Sequence, residues 1–343
     1  MTKRKILRGL EFPLRGLGFP LRGLGFFVLA GALLICAGER QAVAQKYPEH
    51  PVKIVIPLGP GGVGDITARI LAEKLGDKLG QRFVVENMPG AGGITAMRAI
   101  IAAPADGYSL LLATGGIASS IPLYKQFPVD VLNELVPVSS LGYFDCILAT
   151  NGESEFKTLG DFLKAAKASP GKLNIGTISA GGVQHLTANY FKQAAGIDVV
   201  VVPFKTTPDA VIALLRNDVH MVIDFYAALK GNMQSGKLRA VAWAGPTPSP
   251  AMPELKTAEA QGVKGFQANS WNSIYVKAGT PPAVIETLNK AMHEILADPA
   301  IKAKLLDLGI DSKASTPAAM DAQMRGDIKK WAGVIEKAGI EKR

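Results

Sequence analysis

Cysteine is nearly absent: the 343 residues contain two, Cys36 and Cys146. Cys36 lies in an N-terminal leader, so cleavage after Ala44 leaves Cys146 alone and excludes an internal disulfide. The four histidines, His50, His185, His220 and His293, are scattered without metal-ligand spacing, and no metal is implied. There is no Gly-x-Ser-x-Gly elbow, no His-Glu-x-x-His pair and no Cys-His signature near Cys146. The Gly61–Gly64 loop is read as neither G-x-G-x-x-G nor a Walker loop with its Gly-Lys-Ser/Thr, so nucleotide binding is disfavoured and no cofactor is implied. No stripe of Lys and Arg interleaved with aromatics occurs, which leaves nucleic-acid binding without support.

The N-terminus reads as an export signal. Lys3, Arg4, Lys5, Arg8, Arg15 and Arg22 form a basic region, and the apolar stretch Leu24 to Ala37 follows. That stretch suits a signal peptide and falls short of the ~20 residues of a spanning helix. Ala42-Val43-Ala44 supplies a small-x-small cleavage site, so residues 1–44 are expected to be removed on the way to the periplasm. The bulky Ile35 before Cys36 argues against lipidation. The leader also repeats Leu-Arg-Gly-Leu three times, at Leu7, Leu14 and Leu21, without meaning for the fold. The whole chain carries +9; without residues 1–44 it has 31 basic and 27 acidic residues, or +4. The basic excess therefore belongs largely to the leader.

What the chain does contain is one local design used twice. An apolar strand from Val52 to Pro57 runs into Pro60-Gly61-Gly62-Val63-Gly64-Asp65 and a helix to Leu79, stopped by Gly80. A second strand near Leu173 to Gly176 runs into Thr177-Ile178-Ser179-Ala180-Gly181-Gly182 and a helix from Val183 to Ala195, stopped by Gly196. A glycine-rich turn from strand to helix exposes backbone N–H groups at a helix N-terminus, which is an anion site. Two such turns far apart in one chain imply two lobes closing on one small anion.

The composition, 48% hydrophobic and 20% charged, suits a globular protein with room for two domains. Strands and helices alternate almost throughout, which predicts α/β architecture with mostly parallel sheets. Strands are expected near 83–86, 109–113, 136–149, 199–202, 219–224, 238–244 and 268–276. Helices are expected at 94–102, from Thr158 as N-cap to Ala168, near Pro208, and after Pro281, Pro299 and Pro317. The expected organisation is a discontinuous first lobe, 47–147 plus 271–343, with residues 148–270 inserted as the second.

Asp65 is read as the N-cap of its helix, holding the loop's shape. His185, in the first turn of the second helix, is either a structural hydrogen-bonder or a ligand contact. Asp224, at a strand end, is either a turn cap or a receiver of a ligand hydroxyl or ammonium. An exported enzyme using Asp224 or His185 as base is the main alternative, and a receptor feeding a sensor kinase is another.

Several motifs resemble one family. Tyr47-Pro48-x-x-Pro51, then Pro60-Gly61-Gly62-x-x-Asp65, then Glu86-Asn87-x-Pro89-Gly90-Ala91-Gly92-Gly93 and Pro104-x-Asp106-Gly107-Tyr108 occur in order. His185-Leu186, Val202-Pro203-Phe204-Lys205, Gly236-Lys237-Leu238-Arg239-Ala240, Trp271, Gly279-Thr280-Pro281 and Trp331 continue them. This series resembles the periplasmic solute-binding proteins of tripartite tricarboxylate transporters, the Bug-type receptors. The resemblance implies a type II periplasmic-binding-protein fold, a small organic carboxylate as ligand and membrane transporter subunits as partners, with a monomer as the default. It implies that Pro60 to Asp65 and Thr177 to Val183 clamp a ligand carboxylate, with Thr114 and Asp224 nearby. Leu58 stands where the family usually has an aromatic residue, and Thr206 where glycine is usual. Asn272-Ser273-Ile274 replaces a Phe-Gly-Leu-like stretch. These departures bear on ligand identity more than on fold.

Overall fold

Strand and helix alternate from the first described element. A computed structural model describes residues 47–178 and 180–342. The leader, its cleavage site, Cys36 and Ser179 lie outside the described residues. The elements begin with β1 (Val52–Ile56), α1 (Val63–Leu79), β2 (Phe83–Asn87), α2 (Ile94–Ala102), β3 (Ser109–Thr114), α3 (Gly115–Ser120), α4 (Val131–Glu134) and β4 (Leu135–Asn151). There follow α5 (Leu159–Ala168), β5 (Asn174–Ile178), α6 (Val183–Ala195), β6 (Val200–Phe204), α7 (Thr207–Leu215), β7 (Met221–Phe225), α8 (Tyr226–Gln234) and β8 (Leu238–Trp243). The chain ends with β9 (Asn269–Lys277), α9 (Pro282–Ala297), α10 (Pro299–Leu306), β10 (Ile310–Ser312) and α11 (Pro317–Lys337).

Local chemistry sets the helix ends. Gly80 and Gly196 stop α1 and α6 in the left-handed conformation, at φ 74° and 61°, which favours glycine. Thr158 and Asp161 form a reciprocal capping box at the start of α5. Prolines open α9, α10 and α11, where a missing N–H costs no helical bond.

The strands join in the order β2-β1-β3-β9-β4-β7-β5-β6, with β8 and β10 also pairing β4. The expectation of mostly parallel sheets holds inside the strand–helix–strand units and stops at the crossing strands. β1 is parallel to β2 and β3, and β5 to β6 and β7. The pairs β3–β9, β4–β9, β4–β7, β4–β8 and β4–β10 are antiparallel. A helical crossover enforces parallel pairing, whereas β4 and β9 reach their neighbours by other routes.

β4 is the spine. Its first part pairs β9 as far as Asp145↔Asn269. From Cys146 and Ile147 onward it pairs β7 and β8. At the handover the backbone bonds Cys146 N to Ala268 O and Ala268 N to Ala244 O hold the two crossing segments side by side.

Both faces of the sheet are covered. Ile54, Ile56, Leu110 and Leu112 pack with Leu71 and Leu75 of α1 and Met292 of α9. Val55, Leu111 and Ala113 face Met97, Ile100, Trp271 and Met320. Near β5, Ile175 packs with Phe162, Phe191 and Phe266, while Val222 packs with Leu214 and Trp243. Burial on both faces explains why these strands read as continuous apolar runs.

Candidate functional site

The two glycine loops have nearly the same backbone. Gly61 and Gly181 are left-handed, at φ 82° and 81°. Gly62 and Gly182 follow as the helix N-caps, at φ −85°, ψ 173° and φ −74°, ψ 172°. α1 and α6 begin at the next residues, Val63 and Val183, and neither cap has a side-chain hydrogen bond. The first helical bonds are Ile66 N to Gly62 O and Leu186 N to Gly182 O, both 3.0 Å. The N–H groups of Val63 and Gly64, and of Val183 and Gln184, therefore have no acceptor within their helices. A Cβ placed on Gly59, Gly61 or Gly62 would meet nothing within 4 Å, so the first loop presents bare backbone to open space.

Asp65 is not the N-cap of α1, as the sequence reading had it. It is the third helical residue and reaches back, accepting the Gly61 N–H at Oδ2, 3.0 Å away. His185 does the same in the second loop: its Nδ1 accepts the Gly181 N–H at 3.2 Å.

The Asp65 carboxylate is buried and fully engaged. Arg69 donates through Nε at 3.1 Å and Nη2 at 2.9 Å, and Asn87 Nδ2 donates at 3.0 Å. Asn87 also donates to Leu58 O at 3.0 Å, which ties the end of β2 to the loop. Burial alone would raise this carboxyl, but the hydrogen bonds from Arg69, Gly61 and Asn87 outweigh it and hold it below the ordinary range. Leu58 is 40% exposed beside this network.

Asp224 is a buried carboxylate of the second half. It is the last residue but one of β7, fully buried, and accepts from Thr207 Oγ1 at 2.6 Å, Gln184 Nε2 at 3.0 Å and the Phe225 N–H at 2.8 Å. Burial pushes its carboxyl upward against those hydrogen bonds. Asp224 thus ties the first turns of α6 and α7 to the end of β7.

Thr114 caps α3, its Oγ1 accepting the Gly116 N–H at 3.2 Å. The α3 region reaches the second loop: Leu123, just beyond α3, packs with Val183, Leu186 and Trp331. Thr177 is buried at the end of β5, and its hydroxyl has no hydrogen-bond partner. Asn272 is buried beneath the first turn of α1, donating to Thr67 Oγ1 at 2.7 Å.

Comparison with known proteins matches this arrangement to a family. The family model described as the tripartite tricarboxylate transporter family receptor matches residues 67–340. The chain belongs to that family. It is 32% identical to the protein BugT of Bordetella pertussis over 314 residues, 91% of this chain and 96% of BugT. The solved structure of Rpa4515 from R. palustris with adipate has a TM-score of 0.81 at 28% identity, covering 86% of this chain and 99% of that one. MatC (Rpa3494) from Rhodopseudomonas palustris with bound malate has a TM-score of 0.76 at 26% identity, covering 84% and 100%.

The receptor family consists of periplasmic solute-binding proteins, and the fold is theirs. Among the described residues no helix is long and apolar enough to cross a membrane. In this receptor the first group of sequence candidates, Pro60 to Asp65 with Thr114, gathers at the ends of β1 and β3. The second, Thr177 to His185 with Asp224, gathers at the ends of β5 and β7, with Ser179 outside the described residues. Sequence reading missed the partners that lock each loop: Arg69, Asn87, Gln184 and Thr207. The reading of the first loop as not G-x-G-x-x-G is wrong: Gly59, Gly61 and Gly64 have that spacing. That spacing is not what the two loops share, because Gln184 stands where Gly64 would repeat. The acidic residue at the end of β2, Glu86, pairs with Lys53 at 2.8 Å.

Proposed function

We propose that this receptor captures one carboxylate group of a small organic acid between its two glycine loops and passes the acid to membrane subunits of its transporter. The observation that carries this reading is the duplicated loop, with the same glycine conformations and the same glycine-to-side-chain bond at the head of two helices. Backbone N–H groups at a helix start favour an anion without requiring a cationic side chain. Relatives of the chain are solved with adipate and with malate, both carboxylates. Asp224 and His185, the bases an exported enzyme would use, are each hydrogen-bonded within the protein, which favours binding over turnover.

Residues 47–147 with 271–343 form one lobe and 148–270 the other, and closure about β4 and β9 brings the loops onto the ligand. Pro60 to Asp65 form the first clamp and Thr177 to His185 the second. Thr114 and Asp224 border the rest of the acid, Asp224 by positioning Gln184. The chain acts as a monomer in the periplasm after loss of residues 1–44.

The test is a ligand-dependent thermal shift of the purified, ligand-stripped protein against a panel of di-, tri-, hydroxy-, amino- and aromatic carboxylates. A ligand binding only the native state adds about 2.7 kcal/mol at a hundred times its dissociation constant. A clear shift with at least one acid supports the reading. A folded, stripped protein that shifts with none of them overturns it.

A further inference from the structure

Behind the first loop stands an acceptor that the two-loop clamp does not use. Asn272 lies in β9 directly opposite Thr114 of β3, with Gly142 of β4 on its other side. It is 1% exposed. Its Nδ2 donates to Thr67 Oγ1 at 2.7 Å. Thr67 gives its own proton to the Val63 carbonyl at 2.8 Å, one helical turn back. Thr67 therefore has only a lone pair to offer Asn272, and this fixes the amide with its nitrogen toward Thr67. The amide oxygen is buried and has no donor. A buried carbonyl oxygen without a partner is costly to keep, so its retention calls for a donor from outside the chain.

Two features say what that donor is. Thr67 belongs to the same first turns of α1 as Val63 and Gly64, whose N–H groups form the proposed anion site, so the Asn272 amide is tied to the helix start that would hold the carboxylate. Directly paired residues of an antiparallel ladder put their side chains on one face. Thr114 therefore stands beside Asn272, with an Oγ1 that accepts from the Gly116 N–H and keeps its proton to donate. An acceptor and a donor side by side suit a group that both gives and takes a hydrogen bond. A hydroxyl does this; an ionised carboxylate cannot donate and an ammonium cannot accept.

We propose that Asn272, with Thr114, is the ligand-selecting pair of this receptor, and that its acid is a hydroxy-carboxylate whose hydroxyl donates to Asn272 Oδ1 and accepts from Thr114. This rests on the carboxylate reading above and narrows it. The ionised acid group stays with the glycine loop; the hydroxyl is read one strand deeper.

Calorimetric titration with matched acids tests it: malate against succinate and aspartate, and 2-hydroxyglutarate against glutarate and glutamate. The expected result is at least tenfold tighter binding of the hydroxy acid in one series. In Asn272→Leu that ratio falls toward one, through weaker binding of the hydroxy acid alone. Thermal unfolding of each variant checks folding, and Thr114→Val carries the same expectation if the leucine variant does not fold. Equal binding of hydroxy and plain acids by the unaltered protein overturns the proposal, as does a preference for the amino acids or one that survives Asn272→Leu. Binding of none of the six acids overturns it too, and in that case the thermal-shift panel shows whether the carboxylate reading falls with it.

Discussion

Asp65 and His185 hold the same bond in two different loops. Each accepts the N–H of the glycine four residues before it, Gly61 at 3.0 Å and Gly181 at 3.2 Å. In each case a side chain from the first helical turn fixes a left-handed glycine and leaves the next N–H groups facing outward. A carboxylate serves in one loop and an imidazole in the other, so what the two share is an acceptor at that place, whatever its charge.

Asp65→Ala leaves the Gly61 N–H, Arg69 and Asn87 without their common acceptor. The expected loss is about 1–3 kcal/mol of folding stability, measured by urea unfolding at pH 7. The lowered carboxyl sets the pH sense. Its contribution is complete above the unfolded carboxyl value and disappears as pH falls through the lower folded one. The difference between Asp65→Ala and the unaltered protein should therefore shrink only in strong acid.

Gly61 and Gly62 separate backbone strain from ligand contact. Gly61→Ala forces a side chain into φ 82° and should cost about 1–2 kcal/mol. Gly62→Ala sits at φ −85° with no atom within 4 Å of its Cβ, so the unfolding midpoint should hardly move. A Gly62→Ala variant that unfolds as easily as Gly61→Ala would contradict the loop geometry.

Asp145 makes the handover strand sensitive to pH. It lies in β4 where pairing passes from β9 to β7 and β8, and accepts from Trp243 Nε1 at 2.7 Å. Burial pushes its carboxyl up to about 6, with Asp311 adding to the rise and the Trp243 bond and Lys330 opposing it. A raised folded value means the native state holds the proton longer than the unfolded chain. Stability from this group is greatest below about pH 4 and is lost as pH climbs through about 6, on the order of 3 kcal/mol. Asp145→Asn should remove that slope from denaturation curves taken between pH 4 and 7; an unchanged slope would assign it to other groups.

Asp224→Ala strips a buried acceptor from Gln184, Thr207 and the Phe225 N–H at once. A loss of about 3 kcal/mol is expected, together with weaker ligand binding because the first turns of α6 and α7 lose their tie. A stable variant with normal binding would remove Asp224 from the site.

Much of this was legible along the chain because it is written locally. The glycines that stop α1 and α6, the Thr158 box and the prolines opening α9 to α11 act within one helical turn, and the elements appear where they indicate. The crossing strands were harder. A 17-residue stretch of mixed apolar and small polar residues forms β4, and nothing in it says that its partners run antiparallel. β10 has only three residues and α8 has a weakly marked apolar face, too little periodicity to detect. Long-range bonds were illegible altogether. Asn272 meets Thr67 across 205 residues of chain, and Asn87 meets Asp65 across 22. Asp65 was misplaced as N-cap because an acceptor three residues into a helix, reaching back past the cap, leaves the same sequence signature.

The central claim is that both loops hold one ligand, and calorimetric titration of Gly62→Ala and Gly182→Ala beside the unaltered protein tests it most directly. Both positions have backbone angles open to alanine, at φ −85° and −74°. With a carboxylate identified by thermal shift, the account predicts at least tenfold weaker binding in each variant and an unchanged fold. Full affinity in either one would show that the loop it alters does not touch the ligand, and would contradict the clamp.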